Sequence, residues 1–300
     1  MRQQLRGKVI KQRVYSISAA SDEAELAKAT ACRIVEDFRA DRLKIKPLPR
    51  VAVELGRLAS STDPDIGAAL ALVQREPELA GRVLKAAGSA AFGNRAPQDL
   101  AQASMRLGVR GMRDLAFAVS LAGVFRCPPL DEPAQEEVKH GFVVAVLSSY
   151  ICRMMKIDAS EGFLAGLFHD AGRLVVLNAL AEYGRKDSRL WDPEVARRVG
   201  NGAHGALGTL LLERWGLGAT VRECARHHHK PGQSDEPLAT VVAMADHVDR
   251  LGGSSESERA ERLSENPCPH GPGLSEAHVA ALAGAADVAR NDPMLGAIAG

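Results

Sequence analysis

Aromatic residues are scarce in this chain of 300 residues, at 4%, and no long stretch alternates apolar with polar residues. Both shortages count against a sheet, whose strands draw on aromatic and β-branched side chains arranged with period two. A charge excess is lacking too: 38 Lys and Arg stand against 37 Asp and Glu. No overall field therefore steers the protein toward nucleic acid or an anionic membrane. The five cysteines, Cys32, Cys127, Cys152, Cys224 and Cys268, show no CxxC spacing, which argues against a disulfide framework and a zinc ribbon. They read as reduced and mostly structural. No apolar run is expected to reach the roughly 18 residues of a membrane span, and the basic start has no apolar core or cleavage site behind it. A cytoplasmic location follows as the expectation. No P-loop is present, so no phosphate cradle of that kind is signalled.

What the chain does have is Ala, Leu, Arg and Glu in helical patterns, with 46% hydrophobic residues overall. The length is a prior of about two domains, and the composition predicts an all-α fold. Residues 1–20 form a basic tail carrying Arg2, Arg6, Lys8, Lys11 and Arg13, read as a solvated end or as a tether to an acidic partner. A first helix is predicted from Asp22, which with Glu25 has the form of a capping box. Residues 21–130 are read as an N-terminal helical subdomain of short helices. Three prolines in "RCPPLDEP", 126–133, end it, since proline cannot continue a helix interior. A second helical subdomain is placed at 131–251, starting its helix at "AQEEVKH". A polar linker is expected at 252–274 and a closing helix and tail at 275–300.

Of nine histidines, six fall between residues 140 and 229: His140, His169, His204, His227, His228 and His229. Imidazole and carboxylate groups together suit borderline and hard divalent ions, and neighbouring helices of a bundle can aim them at one point. His204 also reads as a cap or surface group. The triplet 227–229 reads equally as a solvated helix end, and Asp246 as a local cap or ion-pair partner. The run "GLFHDAGRLVVL" sets His169 and Asp170 in an apolar, helix-like stretch, where a buried charge is tolerated only when paired or metal-bound.

These motifs, taken in order, resemble the HDOD branch of the HD superfamily of metal-dependent phosphohydrolases. The first half is similar in "LPRVAVELGRLASS", the step Glu76-Pro77, a turn with Ser89, Phe92 and Gly93, and "LAQASMRLG". The second half is similar in "KHGFVVAV", "FHDAGRLVV", "HGALGTLLLERWGL" and "ARHHHKP". The resemblance spans roughly residues 43 to 250. It implies an N-terminal helical bundle packed on a C-terminal HD-like bundle, and a bacterial signalling or regulatory module that binds a protein partner or a small, nucleotide-type ligand without catalysis. His140, His169, Asp170, His204, His228, His229 and Asp246 stand at positions that bind metal in active HD enzymes, which implies Mn, Fe, Zn or Mg as cofactor. The alternative is a phosphohydrolase in which Asp170 and Arg173 take catalytic roles. Departures are present: Gly88 replaces the turn's asparagine, Arg173 the lysine of the phosphodiesterase relatives, and no "GYP" follows the triplet. Cyclic-dinucleotide hydrolysis of that type is therefore not expected.

Overall fold

The computed structural model describes residues 22–87, 97–125, 128–252, 255–265, 275–291 and 295, and among these no strand occurs. The chain is all α-helical. The basic tail, the turn at Gly88 to Gly93 and residues 266–274 lie outside the described residues. In order come α1 (22–39), α2 (Arg50–Ala59), α3 (Ile66–Gln74), α4 (Pro77–Ala87), α5 (Leu100–Val124), α6 (Asp131–Met155), α7 (Ala159–Phe168) and α8 (Ala171–Tyr183). After them stand α9 (Pro193–Arg214), α10 (Ala219–His227), α11 (Pro237–Leu251), α12 (Glu256–Glu265) and α13 (Glu276–Arg290). Asp65, Asp99, Asp158 and Asp192 each accept backbone N–H groups at a helix start, a cap worth about 1 kcal/mol apiece. Gly108, at φ 66°, breaks α5 into two helices, because only glycine enters the left-handed region at little cost.

Helices α2, α3 and α4 pack on α5, which in turn touches α6 and α7. The two subdomains thus share a continuous core, in which Phe168 makes edge contacts with Phe117 at 5.7 Å and Trp215 at 6.2 Å. A second cluster, with Leu147, Val241, Met244, Leu263 and Leu282, joins α6 and α11 to the last two helices.

Four expectations change. Helix α1, assigned to the N-terminal half, docks on α8 and α9: Tyr183 donates to Asp37, and the Arg214 guanidinium donates to the Phe38 carbonyl and lies over its ring. The polar stretch 252–274 contains α12, whose charged residues hide an inner face. Leu263 is buried there, and Arg259, 2% exposed, pairs with Asp287 of α13. Helix α6 begins at Asp131 rather than at Ala134, since Pro133 falls in the first turn, where its missing N–H has no helical acceptor to lose. Finally, Ala159–Tyr183 does reach span-like length and apolarity, with a mean hydropathy of 1.3, but 89% of that window is buried inside the protein. It is two core helices, broken at His169 and Asp170.

Candidate metal centre

The break between α7 and α8 is what makes the site. His169 still has helical angles, whereas Asp170 sits at φ −105° and ψ 15°, so the two side chains leave the backbone at a corner rather than along a continuous helix. Glycines bring the neighbours in. A Cβ at Gly166 would lie 2.7 Å from the Ala145 Cα and the Val144 carbonyl oxygen of α6, and one at Gly172 would collide with the His204 carbonyl and the Gly208 nitrogen of α9. Close approach of these backbones lets His140 of α6 meet His169, and His204 of α9 meet Asp170. Helix α10 adds His228 and His229 at its C-terminal end, and α11 adds Asp246.

The structure brings all seven together in two groups whose donor atoms lie within 4.8 Å of one another: Asp170, His204, His228 and His229, and His140, His169 and Asp246. His227 stays apart, 3.5 Å from Glu223. The rings are held in a common manner. His169, His204 and His228 direct Nδ1 at the carbonyl oxygens of Gly166, Gly200 and Cys224, at 2.7, 2.8 and 3.1 Å. A carbonyl can only accept, so Nδ1 carries a proton in each ring and Nε2 is the atom left facing the centre. All three Nε2 atoms, and Asp170 Oδ1, are buried without a hydrogen-bond partner. His204 Nε2 and His228 Nε2 are both 3.4 Å from that oxygen. Buried acceptors converging on one another are costly unless a cation lies among them. The donor set therefore fits a divalent ion, and its nitrogen and oxygen ligands suit Mn, Fe, Zn or Mg.

The two groups differ in charge. Burial pushes His204 down to about 4, and desolvation of the His229 ring where it packs on His204 and His228, though the residue is otherwise exposed, pushes it to about 4 as well, so both are neutral and ready to ligate at pH 7. Burial acts against the charge of His140 as well, but bonds to Asp246 and Asp249 outweigh it and push that ring up to about 9. Burial likewise disfavours the charge of Asp170 and Asp246. The surrounding imidazoles, with Arg173 beside Asp170 and Arg250 beside Asp246, hold both carboxylates well below the usual range. Arg173, 8% exposed, donates from Nε to Asp170 Oδ2 at 2.8 Å and from Nη2 to Asn201 at 3.0 Å. It clamps the aspartate in place.

Reading the residues alone misses several participants. Asp249 receives His140 Nδ1 at 2.6 Å and is itself held by Arg290 of α13 at 2.6 Å. Arg250 reaches both Asp246 and Asp170. Glu137, half-buried on α6, is pushed up by burial and by the charge of Asp170. Helical spacing could have found three of these, because Asp249 and Arg250 follow Asp246 by three and four residues and Glu137 precedes His140 by three. Asn201, three residues before His204 on α9, has the same spacing, whereas nothing local marks Arg290.

A helical bundle with a histidine–aspartate centre at a helix junction defines a protein of HD type. More narrowly, residues 45–231 match the family model described as the HDOD domain, and the chain belongs to that family. A relative from Treponema pallidum, an uncharacterized protein, is 27% identical over 74% of this chain and 46% of its own length. The chain thus spans less than half of that relative. A structure from Shewanella amazonensis, named as a candidate metal-dependent phosphohydrolase, superposes with a TM-score of 0.64 at 18% identity, covering 89% of this chain and 99% of that one. Another, from Marinobacter aquaeolei and named as a candidate signal transduction protein, gives a TM-score of 0.63 at 19% identity, with 92% and 66% covered. Likeness at this level of identity establishes the fold.

Proposed function

We propose that the chain is a regulatory HDOD module built around a divalent-metal centre, acting by engaging a signalling protein partner or a small nucleotide-type ligand rather than by turnover. The observation that supports it is the convergence of His204 Nε2 and His228 Nε2 on Asp170 Oδ1, each at 3.4 Å, with all three atoms buried and unpaired. An ion there would tie the α7–α8 junction to α9 and α10, so its presence or loss would set how rigidly the second subdomain holds together. Arg173, the group suited to meeting a phosphate, is instead engaged by Asp170 and Asn201, which favours a binding role. A cytoplasmic location belongs to the same proposal.

A second reading, an HD-type phosphohydrolase, is favoured by one feature: His229 is exposed and opens the centre to solvent. A bound ion would lower the pKa of a water and take up charge on a phosphoryl oxygen. The test is metal content of protein purified without a His-tag, comparing the native chain with a His169→Ala, Asp170→Ala double variant, alongside hydrolysis of bis(p-nitrophenyl) phosphate with added Mn. Stoichiometric metal lost in the variant, with no hydrolysis in either protein, is the expected result. Metal-dependent hydrolysis lost in the variant would replace the proposal by the second reading, and absence of metal from the native chain would overturn both.

A further inference from the structure

The two halves of the centre are not equally open to an ion, and the reason is Arg250. This residue lies in the last turn of α11, and its guanidinium bridges two carboxylates. Nε donates to Asp246 Oδ1 at 2.6 Å, and Nη2 donates to Asp170 Oδ2 at 2.9 Å. Those two oxygens close the half that contains His140 and His169. Asp246 Oδ1 lies 3.0 Å from His140 Nε2 and 3.7 Å from His169 Nε2, and Asp170 Oδ2 lies 3.6 Å from His169 Nε2. A metal ion held by this half would take the same oxygens. Ring Nε2 atoms lack a partner in both halves, and the difference lies in the carboxylates: Asp170 Oδ1, the oxygen facing His204 and His228, receives no donor, whereas Asp246 Oδ1 and Asp170 Oδ2 are both taken by Arg250.

We propose that Arg250 is a built-in cation occupying the His140, His169 and Asp246 half, so that the chain takes one divalent ion, among Asp170, His204, His228 and His229, and a second only when Arg250 swings out. The proposal rests on the site being a metal centre. Guanidinium suits this role because it is always charged, and its planar fork can satisfy two carboxylates at once where an ammonium acts as a single point. Charge balance agrees, since Asp170 and Asp246 are met by Arg173 and Arg250. Any ion entering beside both arginines would be repelled at short range. Departure is sterically open, as the Arg250 side chain is 46% exposed while Asp246 and Asp170 are 8% and 3% exposed.

The experiment is titration of chelator-stripped full chain with MnCl2, followed by calorimetry and by electron paramagnetic resonance, for the native protein and for Arg250→Ala and Arg250→Lys. Native protein should take one equivalent with the spectrum of an isolated Mn(II). Arg250→Ala should take two, the second binding about tenfold or more tightly than any second ion in the native protein, with the spectrum of a coupled pair. Arg250→Lys should weaken the second ion by an intermediate amount, and it serves as the folded control. A His204→Ala, Arg250→Ala double variant should keep one ion, now in the His140 half. Two equivalents in the native protein with the affinities of Arg250→Ala would overturn the proposal, as would a single equivalent in both. No ion in any of these proteins would instead refute the metal centre itself.

Discussion

The half of the centre built on His204 and the half built on His140 use the same residue types and share Asp170, yet they are prepared for opposite states. Around His204 that ring is neutral, the outer nitrogens of His204 and His228 are tied to backbone carbonyls, and the facing carboxylate oxygen, Asp170 Oδ1, has no partner. Around His140 the ring is cationic at neutral pH and the carboxylates are taken by Asp249's neighbour Arg250 and by the imidazole itself. The difference teaches that a ligand set does not define a site. What each ligand's second atom touches decides whether the first is left for an ion.

The largest expected effect comes from forcing the open half apart. Gly172→Ala would drive a methyl group into the His204 carbonyl and the Gly208 nitrogen. Backbone cannot yield as a side chain does, so a loss of about 3 kcal/mol or more is expected, together with loss of the ion held near Asp170. Gly166→Ala, which meets the α6 backbone at 2.7 Å, should cost less and disturb only the approach of His169 to His140. Urea unfolding and metal content of the two variants check the contrast, and equal metal loss in both would break it.

The pH dependence of the stripped protein sharpens the same comparison. His140 has a folded pKa of about 9 against an ordinary 6.5, so its stabilisation is fully present below pH 6.5 and lost as pH rises through about 9. His204 has a folded pKa of about 4. The unfolded chain therefore binds its proton more readily, and stability on this account falls as pH drops from 6.5 toward 4. Unfolding of the native chain, His140→Gln and His204→Gln between pH 4 and 10 should show the two differences on opposite sides of pH 6.5. Parallel curves would sink the assignment of opposite charge states.

The smallest effect is expected at Arg290. It holds Asp249, the partner of His140, from α13, with its side chain 31% exposed. Arg290→Gln should cost under about 1 kcal/mol and leave metal content at the His204 half unchanged. Measured loss of that ion would mean that the C-terminal helix supports both halves.

Much of this is legible along the chain. Helical composition, the break at the prolines before α6 and the order of histidines and aspartates all follow from residue types and spacing. His169 and Asp170 read as lying within a helix, because apolar periodicity runs on without interruption from α7 into α8. A corner of a single non-helical residue leaves no compositional mark. Helix α12 is hidden for the opposite reason: its sequence, ESERAERLSE, is nearly all polar, and its helicity draws on the burial of its Leu263 and on its buried Arg259 pairing with Asp287 of α13. Arg250 draws no notice in the sequence because a surface arginine near a helix end is ordinary until its two acceptors are known.

The sequence by itself determined that the chain is helical, that a break falls at the prolines before α6, and which imidazoles and carboxylates are available, since propensity and turn chemistry are local. Only the tertiary structure decided that α1 lies against the second half, that Gly166 brings α7 to α6 and Gly172 brings α8 to α9, and that Arg250 stands in one half of the centre while the other stays open. Those outcomes depend on which atoms become neighbours across tens of residues of chain or more, and on which buried acceptors are left without a donor once packing is complete.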